Sequence, residues 1–117
     1  MTYDHQKAVS KVNRKKALVS ITRKKLFKPI YKGRLKAFTG YQTLATFKTG
    51  EVEYLTLDVT LSKGEVILGI VQGNLFHTLC EGTCQKEIEL PVQKGFARLR
   101  IIGKDANLTY TLKRRQI

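Results

Sequence analysis

The chain has 117 residues, with 22 Lys or Arg against 9 Asp or Glu, and a formal net charge of +13. That length supports one hydrophobic core but not two. Hydrophobic residues are 42% and charged residues 26%, with 9 Gly, 2 Pro and 2 Cys, which excludes a disordered polyelectrolyte, a collagen-like or proline-rich chain and a disulfide-built miniprotein.

Charge is concentrated at one end. Residues 1–36 hold 12 Lys or Arg and a single acid, Asp4, a net +11; residues 37–117 hold 10 Lys or Arg and 8 acids, a net +2. The sequence thus divides into a basic N-terminal arm or first elements, 1–36, and a near-neutral domain, 37–117. A small basic echo follows at Lys113, Arg114 and Arg115. No run approaches the roughly 18 apolar residues of a membrane span. The best candidate for an export signal, Ala17 to Ile21, is too short and is bracketed by Lys15-Lys16 and Arg23-Lys24-Lys25. A cytoplasmic protein without a transmembrane segment is the expectation.

In chain order, Thr2 or Asp4 suits the cap of a helix running through about Val12, with Ala8, Val9, Val12 and Val19 on a partial stripe at helical spacing. Lys16 and Arg23 interrupt that stripe. Ala17, Val19 and Ile21 alternate with Leu18, Ser20 and Thr22 as a strand does. A short helix followed by a strand that joins the sheet is the reading adopted. Pro29 puts residues 26–31 at an edge or in a loop.

Further on the dominant period is two. Arg34 to Phe38 and Tyr41 to Lys48 read as separate strands. In residues 53–61, Leu55, Leu57, Val59 and Leu61 share a dry face, and Tyr54, Thr56, Asp58 and Thr60 a wet one. Ser62-Lys63-Gly64 punctuates, and Glu65 to Val71 is apolar on both faces, as suits a strand in mid-domain. Gly73-Asn74 fits a two-residue hairpin, whose register pairs Ile70 with His77 on the return strand, Leu75 to Leu79. The last stretch allows a register argument. Turns at Gln93-Lys94 and Lys104-Asp105 make a three-stranded meander over 86–114, with Ile88, Leu90, Ala97, Leu99, Ile101, Leu108, Tyr110 and Leu112 on its dry face. The same register sets Glu89 across from Arg98 and Glu87 across from Arg100, a neutralised outer face. Seven or eight short strands spaced near ten residues predict an all-β, antiparallel, jelly-roll-like β-sandwich.

The segments Lys63-Gly64-Glu65-Val66-Ile67-Leu68 and Leu90 to Lys104, the latter containing Gly95-Phe96-Ala97-Arg98, resemble a pattern in small bacterial jelly-roll-like β-sandwich domains. Those domains repeat a Lys-Gly-then-strand unit and close with a Gly-aromatic-x-Arg/Lys strand and a final strand. The resemblance covers roughly residues 41–114. It implies a non-catalytic module of the kind carried on exported proteins, although this chain lacks their export signal, and it assigns no functional residue.

Little chemistry is visible. His77, Cys80 and Cys84 resemble part of a zinc site, but zinc wants four ligands and His5 is the only other histidine. A short-loop disulfide is the second reading, and two reduced thiols near a turn the favoured one. Asn107-Leu108-Thr109 matches a glycosylation acceptor at a turn-to-strand junction. Glu51, Glu53, Asp58 and Glu65 are scattered as solvated strand residues are. No nucleophile spacing, phosphate loop or paired-carboxylate pattern occurs, so no catalytic residue, cofactor, metal or small-molecule substrate is expected.

The functional expectation comes from the basic third. Lys11, Arg14, Lys15, Lys16, Arg23, Lys24, Lys25, Lys28, Lys32, Arg34 and Lys36 are candidates to neutralise phosphates, and Phe27 and Tyr31, with Phe38 and Tyr41 near them, to stack on bases. Contacts of this kind carry affinity without sequence specificity. The expected partner is a polyanion, nucleic acid first; the alternative is a docking module for an acidic protein.

Overall fold

The apolar alternation changes parity inside three stretches of the sequence, and each change is a bulge in a continuous strand rather than a turn. In the computed structural model the described residues are 1–16, 19–24, 30–50 and 52–116; for 14–16, 19–24 and 116 only the backbone is described. One short helix, α1 (His5–Val9), precedes β1 (Arg14–Lys16), β2 (Val19–Lys24), β3 (Ile30–Thr49), β4 (Glu53–Gln72), β5 (Leu75–Glu81), β6 (Cys84–Glu89) and β7 (Gly95–Gln116). All pairings are antiparallel and belong to one sheet. Its path runs β1-β3-β7-β4-β5, with β2 also on β3 and β6 also on β4.

A straight strand of 20 residues would span about 66 Å at ~3.3 Å per residue. The longest dimension of the molecule is 36 Å. Strands β3, β4 and β7 must therefore bend, and their register shifts show where: at Leu35/Phe38/Gly40, at Leu61/Lys63/Glu65, and opposite them on β7. Positive φ angles mark the same line, at Ala37 (52°), Gly64 (81°) and Asp105 (49°). Asn107 secures the crease, its Oδ1 accepting from Ala37 N at 2.8 Å and its carbonyl from Ser62 Oγ at 3.2 Å. At Gly64 a side chain would run into the Asp105 carbonyl oxygen, so the bulge requires glycine both for its φ and for this approach.

Bending puts both halves of each long strand around one core. Leu35, Phe38 and Phe47 of β3, Leu55, Leu57, Leu68 and Ile70 of β4, and Leu99, Ile101, Leu108 and Leu112 of β7 are buried in a single cluster. The other face of the upper half is covered by the N-terminal segment: Ala8 packs on Ile67 and Ile102, with Tyr41 and Phe76 beside them. Asp4 caps α1, its carboxylate accepting from Lys7 N at 3.1 Å. The helix stops at Val9, short of the expected Val12.

Several expectations are corrected. Arg34–Phe38 and Tyr41–Lys48 are one strand, and so are the stretches on either side of Ser62-Lys63-Gly64. There is no meander over 86–114: β6 pairs with β4, Glu89 opposite Tyr54, and β7 runs unbroken between β3 and β4. The dry face was legible all the same, because a bulge at Asp105 shifts the parity from 97, 99 and 101 to 108, 110 and 112 as a hairpin would. The Gly73-Asn74 hairpin does form, with Ile70 opposite His77.

Candidate polyanion interface

Four of the ten cations outside the basic third, all arginines, are taken up by the fold. Arg100 is fully buried, not paired with Glu87. Its five N–H groups donate to Ala8 O, Lys7 O, Val12 O, Asn13 Oδ1 and Thr43 Oγ1 at 2.8–3.2 Å. Desolvation, and then the charge of Arg98, push its pKa below the usual arginine value. Arg98 donates to Val9 O. These two arginines hold the N-terminal segment by its carbonyls, where the sequence suggested pairs with Glu87 and Glu89.

At the other end of β7, Arg114 pairs with Glu53 at 3.1 Å and lies 4.0 Å over the Phe47 ring. Burial lowers its pKa, but hydrogen bonds and charge from Glu53 and Tyr31 more than offset that. Glu53 is therefore a buried counter-ion rather than a solvated strand residue. Arg115 pairs with Glu87 at 3.0 Å and lies over Tyr54. Of the C-terminal basic echo, only Lys113 is left without such a pairing among the described residues.

The basic third is different. Lys32, Arg34 and Lys36 alternate along β3 and are exposed, and no ion pair among the described residues reaches them. Register places Arg23 of β2 directly opposite Lys32. Going the other way from Lys32, the row continues through Thr111 to Asp58, so the first carboxylate is two strands, roughly 10 Å, away. That carboxylate accepts from Gln85 Nε2. The face thus grades from cationic at β3 to acidic at β4 and β6.

Other candidate residues fall along the same edge. Lys11 is exposed in the link between α1 and β1. Arg14, Lys15 and Lys16 pair with Tyr41, Gly40 and Thr39, and β2, with Arg23 and Lys24, continues along β3 past the crease. Lys25, Phe27 and Lys28 lie outside the described residues. Tyr31 is no stacking platform: it is 4% exposed and stacked on Phe47 inside the core. Phe38 is buried too, and the Tyr41 hydroxyl accepts from Asp4 N at 3.0 Å. Among the described residues the face presents charge without these rings.

Beside Arg34 lies a groove of about 420 Å³, whose lining includes Arg34, Lys36, Thr60 and Thr109 together with the buried Leu35 and Leu108. Arg34, Thr109 and Thr60 are register partners on three adjacent strands. The sequence marked Thr60 as wet-facing, but joining it to Arg34 needs the order β3-β7-β4, which no local pattern encodes.

Cys80 and Cys84 form a disulfide, not two thiols. The turn between them carries the chain from the upper half of β4, paired with β5, to the lower half, paired with β6, which brings the two sulfurs together. Among the described residues no group of three His, Cys, Asp or Glu could hold a metal, and no helix is long and apolar enough to cross a membrane. A second cleft of about 510 Å³ holds His77 near Phe96 and Pro91 but no nucleophile paired with a base.

No family model matches the chain, and no curated protein matches it significantly. Among solved structures it is similar to a protein of unknown function from Vibrio parahaemolyticus, 16% identical, over 87% of this chain and 97% of that one, with a TM-score of 0.35. It is also similar to a DUF1255 protein of unknown function from Acidithiobacillus ferrooxidans, 12% identical, over 97% and 99%, with a TM-score of 0.27. Likenesses this distant assign neither fold nor function.

Proposed function

We propose that this protein is a non-catalytic binding module, a small jelly-roll-like sandwich, that engages nucleic acid through its phosphates without reading sequence. The observation that carries this is the row Lys32, Arg34 and Lys36: exposed, free of carboxylate partners among the described residues, and set against Arg23 on the neighbouring strand. A fold that ion-pairs Arg114 and Arg115 yet leaves Lys32, Arg34 and Lys36 exposed in one row concentrates positive charge there, and a polyanion neutralises it. Among the described residues of this face the candidate rings Tyr31 and Phe38 are buried, which favours backbone contacts over base stacking.

Disulfides persist in oxidising compartments, so the Cys80–Cys84 bond weighs against the cytoplasmic location expected from the sequence. The test is fluorescence anisotropy with single-stranded oligonucleotides of several unrelated sequences at low and moderate salt. Similar affinities that drop steeply with salt support the proposal. Binding to polyglutamate with none to any oligonucleotide would replace it with an acidic protein partner.

A further inference from the structure

We infer that the groove beside Arg34 seats one phosphodiester group of the bound strand; this rests on the nucleic-acid reading above and adds a fixed point of contact to it. Successive strands lie roughly 4.8 Å apart. The row Arg34–Thr109–Thr60 therefore sets one guanidinium and two hydroxyls side by side on the outward face. Lys36 adds a second cation to the groove, and among the described residues no carboxylate lines it.

The hydroxyls of Thr60 and Thr109 are exposed and engaged by no described residue, whereas Ser62 already donates to Asn107 O. A phosphodiester has two non-bridging oxygens. The guanidinium suits a two-pronged contact with them, the ammonium acts as a point charge, and the threonines donate neutral hydrogen bonds. The crease keeps these groups in place, since Asn107 ties Ala37 on β3 to Ser62 on β4 across β7.

This chemistry separates from the general attraction of a basic face. Charge contacts release counterions and set the salt dependence; neutral hydroxyl donors add affinity without changing that slope. Full-length protein and the Thr60→Val/Thr109→Val variant are titrated with a mixed-sequence single-stranded oligonucleotide over about 50–200 mM salt, a range in which such slopes are read. The expected result is a loss of about tenfold in affinity, the scale of hydrogen bonds to a charged group, with an unchanged slope. A variant that binds like the parent, with the same steep slope, overturns the groove and leaves the nucleic-acid reading standing. A parent that binds no oligonucleotide removes both.

A loss of affinity for dextran sulfate, with oligonucleotide affinity intact, overturns the phosphodiester assignment in favour of a sulfated polysaccharide. Inorganic phosphate titrated into isotope-labelled parent protein decides independently of how the variant folds. Amide shifts gathered at Arg34, Thr60 and Thr109 support the seat, and shifts elsewhere or none contradict it.

Discussion

Asn13 Oδ1 accepts from the Arg100 guanidinium at 3.1 Å and from Thr43 N at 2.8 Å, so one side chain ties the N-terminal segment both to β7 and to β3. Arg100 in turn satisfies all its donors on that segment and Thr43. A lysine keeps the charge but cannot reach five acceptors from one plane. Arg100→Lys should cost about 3 kcal/mol in denaturant unfolding. It should also speed hydrogen exchange at Ala8, whose amide donates to Asp4 O at 2.9 Å. Unchanged protection at Ala8 would show that the segment is held by its apolar contacts alone.

The Cys80–Cys84 bond closes a loop of only a few residues, so chain entropy gives it a modest share of stability, about 2 kcal/mol. Its location matters more. The turn it closes is anchored on both sides of the crease, Gly82 N donating to Val66 O and Thr83 Oγ1 accepting from Leu61 N. Reduction should lower the denaturation midpoint and loosen β6 before β7, read as exchange at Leu57 and Val59 against Leu99. Uniform loosening would contradict this.

Two glycines with left-handed φ provide an internal comparison. Gly82→Ala, at φ +70° with nothing within 4 Å of the added methyl, should cost about 1 kcal/mol. Gly64→Ala must in addition push aside the Asp105 main chain, and should cost roughly 3 kcal/mol or more. Equal midpoints for the two variants would mean that the crease is not as tightly closed as described.

Tyr110 is buried, and desolvation raises its pKa above the usual tyrosine value. The unfolded chain ionises this phenol near pH 10, while the folded chain holds the proton. Above that pH the native state binds more protons than the unfolded one, so stability falls with pH, by up to about 1.4 kcal/mol per unit from this residue. It is fully present below pH 10. Tyr110→Phe should flatten the decline measured between about pH 9.5 and 11.5; an identical decline would assign it to other groups.

What was legible in the sequence was burial, and what was not was connection. The alternation at Leu55, Leu57 and Val59, and at Ala97, Leu99 and Ile101, named the core correctly because period-two patterning reports a face directly. It could not tell a hairpin at Lys104-Asp105 from a bulge there, since both shift parity by one. The pairing of Glu87 and Glu89 with Arg98 and Arg100 failed for the same reason. Charges in a plausible register look paired, whereas Arg100 finds acceptors some 90 positions away, a partnership with no local signature. Tyr31 was taken for a stacking ring because it sits among lysines in sequence; on β3 its neighbours Lys32 and Arg34 point out while it points in.

Oligonucleotide binding of a Lys32→Gln/Arg34→Gln/Lys36→Gln variant tests the central claim most directly. Each charge contact with a single strand contributes about 0.7 to the slope of log affinity against log salt. Removing three should weaken binding at low salt and reduce the slope by about 2. All three side chains are exposed, so the fold should survive. A variant that binds with the parent's affinity and slope would mean that the polyanion, if it binds at all, uses another face.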